Sequence, residues 1–130
     1  KAWRIGVNKP QEDSTSTSNE LQTILQMNNC AMATSGNYRN FYIDNGRKIA
    51  HTIDPKTGYP VQHSILSSTV IAPTCAIADA YATAFMVLGL EKSLQVLDKH
   101  PELMAYFIHT DKEGNYQVWK SPGIEALIAQ

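Results

Sequence analysis

The sequence predicts an α+β fold in which helices cover one face of an antiparallel sheet. Short strand-like segments come first, a stretch with helical periodicity follows, and strand-like segments return at the end. This order is typical of a layer of helices packed on an antiparallel sheet. The chain has 130 residues, the usual size of one domain, so we expect a single domain over residues 1–130.

The first half of the chain predicts strands that are joined by turns. AWRIGV alternates like a strand, and the polar run PQEDSTSTSN after it predicts a loop. LQTILQM and NCAMATS predict two more strands, with Asn28 and Asn29 between them as a tight turn. YRNFYID and GRKIAHTI flank Asn45-Gly46, a strong hairpin signal. We therefore expect an antiparallel meander.

The second half predicts one strand, two helices and a hairpin. SILSSTVIAP is rich in β-branched residues and ends at Pro73. Apolar residues then follow helical spacing up to Gly89, at positions Ile77, Ala80, Tyr81, Ala84, Phe85 and Leu88. EKSLQVLDKH predicts a second helix, and LMAYFIHT and NYQVWK predict a hairpin around Asp111 to Gly114.

Composition excludes several classes of function. With 43% hydrophobic residues, 18% charged residues and a net charge of −1, the chain has no electrostatic reason to bind nucleic acid or an anionic membrane. No window approaches the roughly 18 apolar residues of a spanning helix. Cys30 and Cys75 form no CxxC motif, which predicts two buried thiols, with a disulfide as the alternative. The chain opens on a strand without an initiating Met, so we expect a piece of a longer protein.

The first predicted helix carries an isolated acid. Asp79 is the only Asp, Glu, Lys or Arg between Thr57 and Leu90, and Thr83 lies one turn further along the same face, opposite the predicted core stripe. Ala76, Ala82 and Met86 share that face. Magnesium accepts one or two protein oxygens and fills its other positions with water and phosphate oxygens, so Asp79 and Thr83 are candidate Mg²⁺ ligands. The alternative is that Asp79 caps the helix start or a neighbouring loop.

The stretch HTIDPKTGYP at positions 51–60 predicts a tight turn. Asp54 is placed to accept backbone N–H bonds, and Gly58 to adopt a positive φ. His51, at the end of a strand, is either a surface histidine or a proton acceptor, and Thr57 offers a hydroxyl to a ligand.

Ser35-Gly36-Asn37 is a third polar corner. Its Gly lets backbone N–H groups approach a ligand closely, although Ser-Gly pairs are also frequent in ordinary turns. No GxGxxG, P-loop or GxSxG motif is present.

Taken in order, ATSGNYRNFY, HTIDPKTGYP and a strand that leads into CAIADAYATAFMVLG resemble the C-terminal half of the FAD:protein FMN transferase family, also called the ApbE or thiamine biosynthesis lipoprotein family. The resemblance covers nearly the whole chain and implies a T-fold-like half of the flavin transferase fold. In this family, the N-terminal half would supply the rest of the FAD cleft.

The resemblance implies a transferase that moves FMN from FAD onto a Ser or Thr hydroxyl of a target flavoprotein and releases AMP, with Mg²⁺ on the pyrophosphate. It implies that Asp79 and Thr83 bind the metal and that His51 deprotonates the accepting hydroxyl. The flavin-nucleotide pocket would include residues from two corners, namely Ser35, Gly36, Asp54, Thr57 and Gly58.

Many members of the family have a second His before the one matched by His51, whereas this chain has Ala50, so no paired histidine is expected. The resemblance also implies a location in the bacterial cell envelope, with a lipid anchor at the N-terminus of the full-length protein. Two other functions remain open at this point: a metal-dependent hydrolase of the FAD pyrophosphate and a flavin-nucleotide-binding module without turnover.

Overall fold

Eight strands and two α-helices are built by the part of the chain that the computed structural model describes, residues 1–10, 20–37 and 41–129. The strands are β1 (Trp3–Asn8), β2 (Leu21–Met27), β3 (Ala31–Gly36), β4 (Phe41–Asp44), β5 (Arg47–Ala50), β6 (Ile65–Ala72), β7 (Met104–Thr110) and β8 (Tyr116–Lys120). The helices are α1 (Cys75–Leu88) and α2 (Leu90–Lys99), and a short 3₁₀ helix covers Pro122–Leu127. The predicted α+β class is confirmed. The predicted loop at positions 10–19 lies, apart from Pro10, outside the described residues.

The central sheet is antiparallel and has the order β3-β6-β7-β8. Strand β6 pairs with β3 on one side and with β7 on the other, so the pairing joins residues that are far apart in sequence. Both predicted hairpins are confirmed: β4 pairs with β5 across Asn45-Gly46, and β7 pairs with β8.

The predicted meander is wrong between β2 and β3. Strand β2 pairs with β1 in a separate two-stranded sheet, while β3 pairs with β6. Asn29 has a positive φ of 53°, and the chain passes there from one sheet to the other instead of closing a hairpin. A bend with two Asn residues looks the same in sequence whether the next strand folds back or leaves the sheet.

Each face of the central sheet is covered. On one face, Phe85 and Ala82 of α1 are fully buried against Val70 and Phe107 of the sheet. On the other face, the β1-β2 pair and the 3₁₀ helix pack on Ile71 and Ile108. The helices therefore lie on one face, as predicted, and the second face is closed by elements whose position the sequence did not indicate.

The orientation of α1 differs from the prediction. Its buried residues are Ala78, Ala82, Phe85 and Met86. Of the six predicted core positions only Phe85 is fully buried, and Ile77 is 40% exposed. The small side chains of Ala78 and Ala82 let the helix approach the sheet closely, so the face with the smaller residues points inward at this end. Ala82 and Met86 were predicted to share the open face with Asp79, and that prediction is wrong.

The thiols also differ from the prediction, since Cys30 is half-buried and Cys75 is exposed, and both are free. Cys30 packs at the edge of the core beneath the β1-β2 pair. Cys75 opens α1, where the first turn projects into solvent. In the described residues, no helix is long and apolar enough to cross a membrane.

Candidate active site

The turn from Asp54 to Gly58 is fixed by its own hydrogen bonds. The Gly58 N–H donates to the Asp54 carbonyl at 2.8 Å, and the Lys56 N–H donates to Asp54 Oδ1 at 2.8 Å. Gly58 has a φ of 75°, a conformation that residues with a Cβ adopt at a cost. The Thr57 hydroxyl accepts the Tyr59 N–H at 3.2 Å. The predicted roles of Asp54 and Gly58 in shaping the turn are confirmed, and these bonds would form without any ligand.

His51 directly follows β5, as predicted, and its residue surface is exposed. Two backbone links then close the base of the turn: Val61 N–H donates to the Thr52 carbonyl at 3.0 Å, and Ile53 forms a bridge with Pro60. His51 therefore lies at an exposed position next to a loop that is closed by backbone hydrogen bonds.

The turn borders a cavity of ≈ 400 Å³ on the side of α1. The turn contributes Asp54, Pro55 and Lys56 to its lining, and the C-terminal half of α1 contributes apolar side chains. Lys92 of α2 and His63 complete the lining, which therefore combines polar and charged side chains with apolar ones.

Ser35 and Thr83 meet in the structure. Ser35 lies near the end of β3, at the edge of the central sheet, and Thr83 lies on α1. Their hydroxyl oxygens are 2.9 Å apart. Helix α1 packs across β3 and β6, which brings Thr83 to the edge of the sheet. The sequence predicted both residues as parts of a site, in different roles, and did not predict their contact.

Asp79 lies one turn before Thr83 on α1, and both residues are exposed. Residues at this spacing are neighbours on a helix surface, so the carboxylate and the hydroxyl share a face. Asp79 does not cap the helix. The N-cap is Thr74, whose Oγ1 accepts the Ile77 N–H at 3.3 Å. Because Asp79 is in contact with solvent, its carboxylate needs no buried partner to be charged.

The oxygen donors of Asp79 and Thr83 fit Mg²⁺. No group of three or more His, Cys, Asp or Glu side chains comes together in the residues described. Mg²⁺ keeps several water ligands and binds through one or two carboxylates together with substrate phosphates. An exposed carboxylate beside a hydroxyl offers such a partial shell, with the open side towards solvent.

The structure does not join all predicted residues into one cluster. Within the part of the chain that is described, no hydrogen bond links the turn at Asp54 to Asp79 or Thr83. Gly36 lies at the end of β3 beside Ser35, and it pairs with Ser67 across the sheet. The site therefore has two parts, a strand-edge and helix part and a turn part.

Three hydroxyl-bearing residues beside Ser35 were missed by the sequence analysis. Ser67, Ser68 and Thr69 are fully buried in β6. In the described residues the hydroxyl oxygens of Ser67 and Ser68 have no hydrogen-bond partner. The run SST in an otherwise apolar strand was the available signal, because buried polar side chains are normally paired.

The sequence model of the ApbE family matches residues 1–107. The chain belongs to the ApbE family. It is 43% identical over 128 residues to a protein named FAD:protein FMN transferase from Klebsiella pneumoniae (strain 342), an alignment that covers 98% of this chain and 35% of that protein. The protein of the same name from Escherichia coli (strain K12) is 38% identical over 126 residues, covering 97% of this chain and 34% of the relative.

Solved structures of ApbE proteins have the same fold. The ApbE protein from Thermotoga maritima superposes with a TM-score of 0.78 at 25% identity, covering 99% of this chain and 39% of that chain. The apo form of the flavinyl transferase ApbE from Pseudomonas stutzeri gives a TM-score of 0.74 at 31% identity, covering 96% of this chain and 36% of that chain. This chain spans about a third of the length of the curated ApbE relatives it matches.

Proposed function

We propose that the full-length polypeptide containing this chain transfers FMN from FAD to a Ser or Thr hydroxyl of a target flavoprotein and releases AMP. The observation that supports this most is the similarity of nearly the whole chain to relatives that are named for this activity. The geometry is compatible with it, because the helix carboxylate of Asp79 and the histidine after β5 are exposed and the strand-edge Ser35 is half-buried.

In the proposed reaction, the acceptor hydroxyl oxygen attacks the phosphorus of the FMN half of FAD. A new phosphoester bond forms, the pyrophosphate P–O bond breaks, and AMP leaves with the bridging oxygen. His51 takes the proton of the acceptor hydroxyl, because histidine is the side chain that most often acts as a general base. Phosphoryl transfer of this kind requires positioning and charge stabilisation more than covalent chemistry.

We propose that Asp79 and Thr83 hold Mg²⁺ beside the pyrophosphate. The metal would neutralise the charge on the phosphate oxygens. Asp79 supplies the charge and Thr83 a neutral oxygen, and their position on one face of a helix packed on the sheet limits the movement of both. Ser35, Gly36, Asp54, Thr57 and Gly58 would form part of the FAD pocket, in which the two rigid corners described above position the nucleotide.

The proposed roles are tested by AMP release from FAD in the presence of Mg²⁺ and an acceptor domain. Asp79→Ala is expected to abolish AMP release at all Mg²⁺ concentrations used. His51→Ala is expected to lower kcat, because the acceptor proton loses its base, and to leave FAD affinity largely unchanged. As a control on the same helix, Ile77→Ala is expected to retain the activity. Unaltered turnover of Asp79→Ala would remove Asp79 from the mechanism.

The same assay separates the transferase from a hydrolase. A hydrolase releases AMP and free FMN without an acceptor, whereas the proposed transferase requires the acceptor for turnover. A location in the bacterial envelope, with a lipid anchor, belongs to the same proposal and is tested by fractionating cells that carry the full-length protein.

A further inference from the structure

The hydrogen bond between Ser35 and Thr83 joins two elements that are distant in sequence. The oxygen atoms lie 2.9 Å apart, one on the edge strand β3 and the other on α1. Asp79 is one helical turn from this bond. The contact therefore involves Thr83, one of the two oxygen ligands proposed for Mg²⁺, and lies one helical turn from Asp79, the other.

We propose that Ser35 is a positioning residue that orients the Thr83 hydroxyl for a divalent cation. This inference rests on the proposed metal site. Ser35 acts by accepting the hydroxyl proton of Thr83, so that a lone pair of Thr83 Oγ1 points to the metal.

The chemistry of a neutral hydroxyl ligand requires such an acceptor. A Thr hydroxyl has one proton and two lone pairs. When a lone pair binds a cation, the proton must point away from the positive charge, and a hydroxyl rotor without a partner is free to turn the proton towards the metal. Ser35 Oγ, 2.9 Å from Thr83 Oγ1, is an acceptor at the right distance. Groups that orient metal ligands in this way commonly change metal affinity about 10–100-fold.

The position of Ser35 is fixed by the packing of α1 on the sheet. Ala78 and Ala82 are fully buried at this contact, and their small side chains allow the helix to approach β3 and β6 closely. A helix with larger residues at these positions would stand further from the strand edge. The hydroxyl pair therefore depends on the same inward face of α1 that the sequence analysis did not predict.

A further hydroxyl group, that of Ser68, lies opposite Ser35 on strand β6. Ser68 is the direct partner of Ser35 in the β3-β6 register, and it is fully buried. Directly opposed residues in an antiparallel pair have Cβ atoms about 4.5–5.5 Å apart on the same face. Among the described residues its hydroxyl oxygen has no hydrogen-bond partner. The hydrogen bond of Ser35 to Thr83 therefore does not extend to Ser68, although the two serines are opposed in the sheet.

The neighbouring residue supplies a matched control. Thr34 Oγ1 of β3 lies 2.9 Å from Thr69 Oγ1 of β6, so β3 carries a second hydroxyl pair with the same oxygen–oxygen distance as Ser35 and Thr83. Adjacent strand residues point to opposite faces, and Thr34 therefore lies away from α1 and the proposed metal site. Loss of either pair removes one hydroxyl–hydroxyl bond of β3, but only Ser35 contacts a proposed ligand.

The test measures Mn²⁺ binding to the full-length polypeptide by electron paramagnetic resonance of the free ion, with Mg²⁺ as the competitor. Ser35→Ala is expected to weaken the binding of both ions about 10–100-fold. Ser35→Thr, which keeps a hydroxyl, is expected to bind close to the wild-type level, and Thr34→Ala is expected to bind like the wild type. In the AMP-release assay, Ser35→Ala is expected to raise the Mg²⁺ concentration needed for half-maximal rate more than it lowers kcat.

The outcomes separate this inference from the proposed site. If Asp79→Ala and Thr83→Val both bind Mn²⁺ like the wild type, the metal site is wrong, and the role of Ser35 is wrong with it. If these two variants lose binding while Ser35→Ala keeps it, only the positioning role is wrong. Equal weakening by Thr34→Ala and Ser35→Ala would also overturn the inference, since it would indicate a structural effect. Should Ser35→Ala fail to fold, Ser35→Cys, a similar-sized side chain with a poor acceptor, replaces it with the same expected loss.

Discussion

Replacing Phe85 by Ala should strongly destabilise the chain, and the structure allows the effect to be estimated. Phe85 is 0% exposed, and its ring packs against Phe107 at 5.4 Å between centroids and against Tyr81 at 5.7 Å. Substitution of a buried Phe by Ala costs about 3–5 kcal/mol, the sum of lost transfer free energy and the cavity that remains. We expect a value in this range, because the central sheet cannot collapse into the space beneath α1.

Ile77→Ala is the matched control on the same helix. Ile77 is 40% exposed, so little apolar contact is lost, and Ala has the higher helix propensity. We expect a loss of less than about 1 kcal/mol. The assay is urea unfolding followed by far-UV circular dichroism, with the free energy of unfolding extrapolated to water. Equal costs for the two substitutions would refute the observed orientation of α1, because the sequence-based orientation buries both residues.

Three further predictions concern the ends of α1 and the last hairpin. Gly89→Ala should cost roughly 1–3 kcal/mol in urea unfolding, because Gly89 has φ 83° and ψ 174° and an added Cβ would lie 2.9 Å from the His63 ring. Thr74→Ala should lower the free energy of unfolding by about 1 kcal/mol, because the N-cap hydrogen bond is lost, whereas Thr74→Ser keeps that bond and should cost little. Thermal unfolding of the two variants measures the difference. The pKa of Asp111 is lowered by the backbone N–H of Asn115, so its charged form stabilises the fold above pH about 4 and this contribution is lost as pH falls through the lowered value. Urea unfolding at several pH values measures the difference in the free energy of unfolding between the wild type and Asp111→Asn. We expect this difference to become smaller as the pH falls, and a larger difference at low pH would contradict the prediction.

Features set by local chemistry were predictable from the sequence. The hairpin at Asn45-Gly46 and the Asp54 turn depend on residues within a few positions of one another, and both are present as predicted. Gly89 ends α1 as predicted, because its positive φ suits a residue without a Cβ.

Features set by distant partners were not predictable in the same way. The pairing of β3 with β6 joins residues that are more than 30 positions apart, such as Ser35 and Ser68, and no local signal distinguishes it from a hairpin with β2. The predicted orientation of α1 was wrong because the helical spacing of apolar residues was used to choose the buried face, whereas close packing on the sheet favours Ala78 and Ala82.

In the candidate site, too, the sequence indicated the residues but not their contacts. Motif order indicated the individual residues, such as Ser35, Asp79 and Thr83. Their spatial relation depends on how α1 crosses the strand edge, which only the structure provides. The missed hydroxyl of Ser68 becomes relevant only when its place opposite Ser35 is known.

The most direct test of the central claim is the intact mass of an acceptor flavoprotein domain after incubation with the full-length protein, FAD and Mg²⁺. The account predicts a mass gain equal to FMN less one water, on a single Ser or Thr, together with one AMP released per acceptor modified. The gain should be absent with Asp79→Ala and when Mg²⁺ is removed by a chelator. AMP release with an unmodified acceptor that is a substrate for related transferases, or no AMP release at all, would contradict the account.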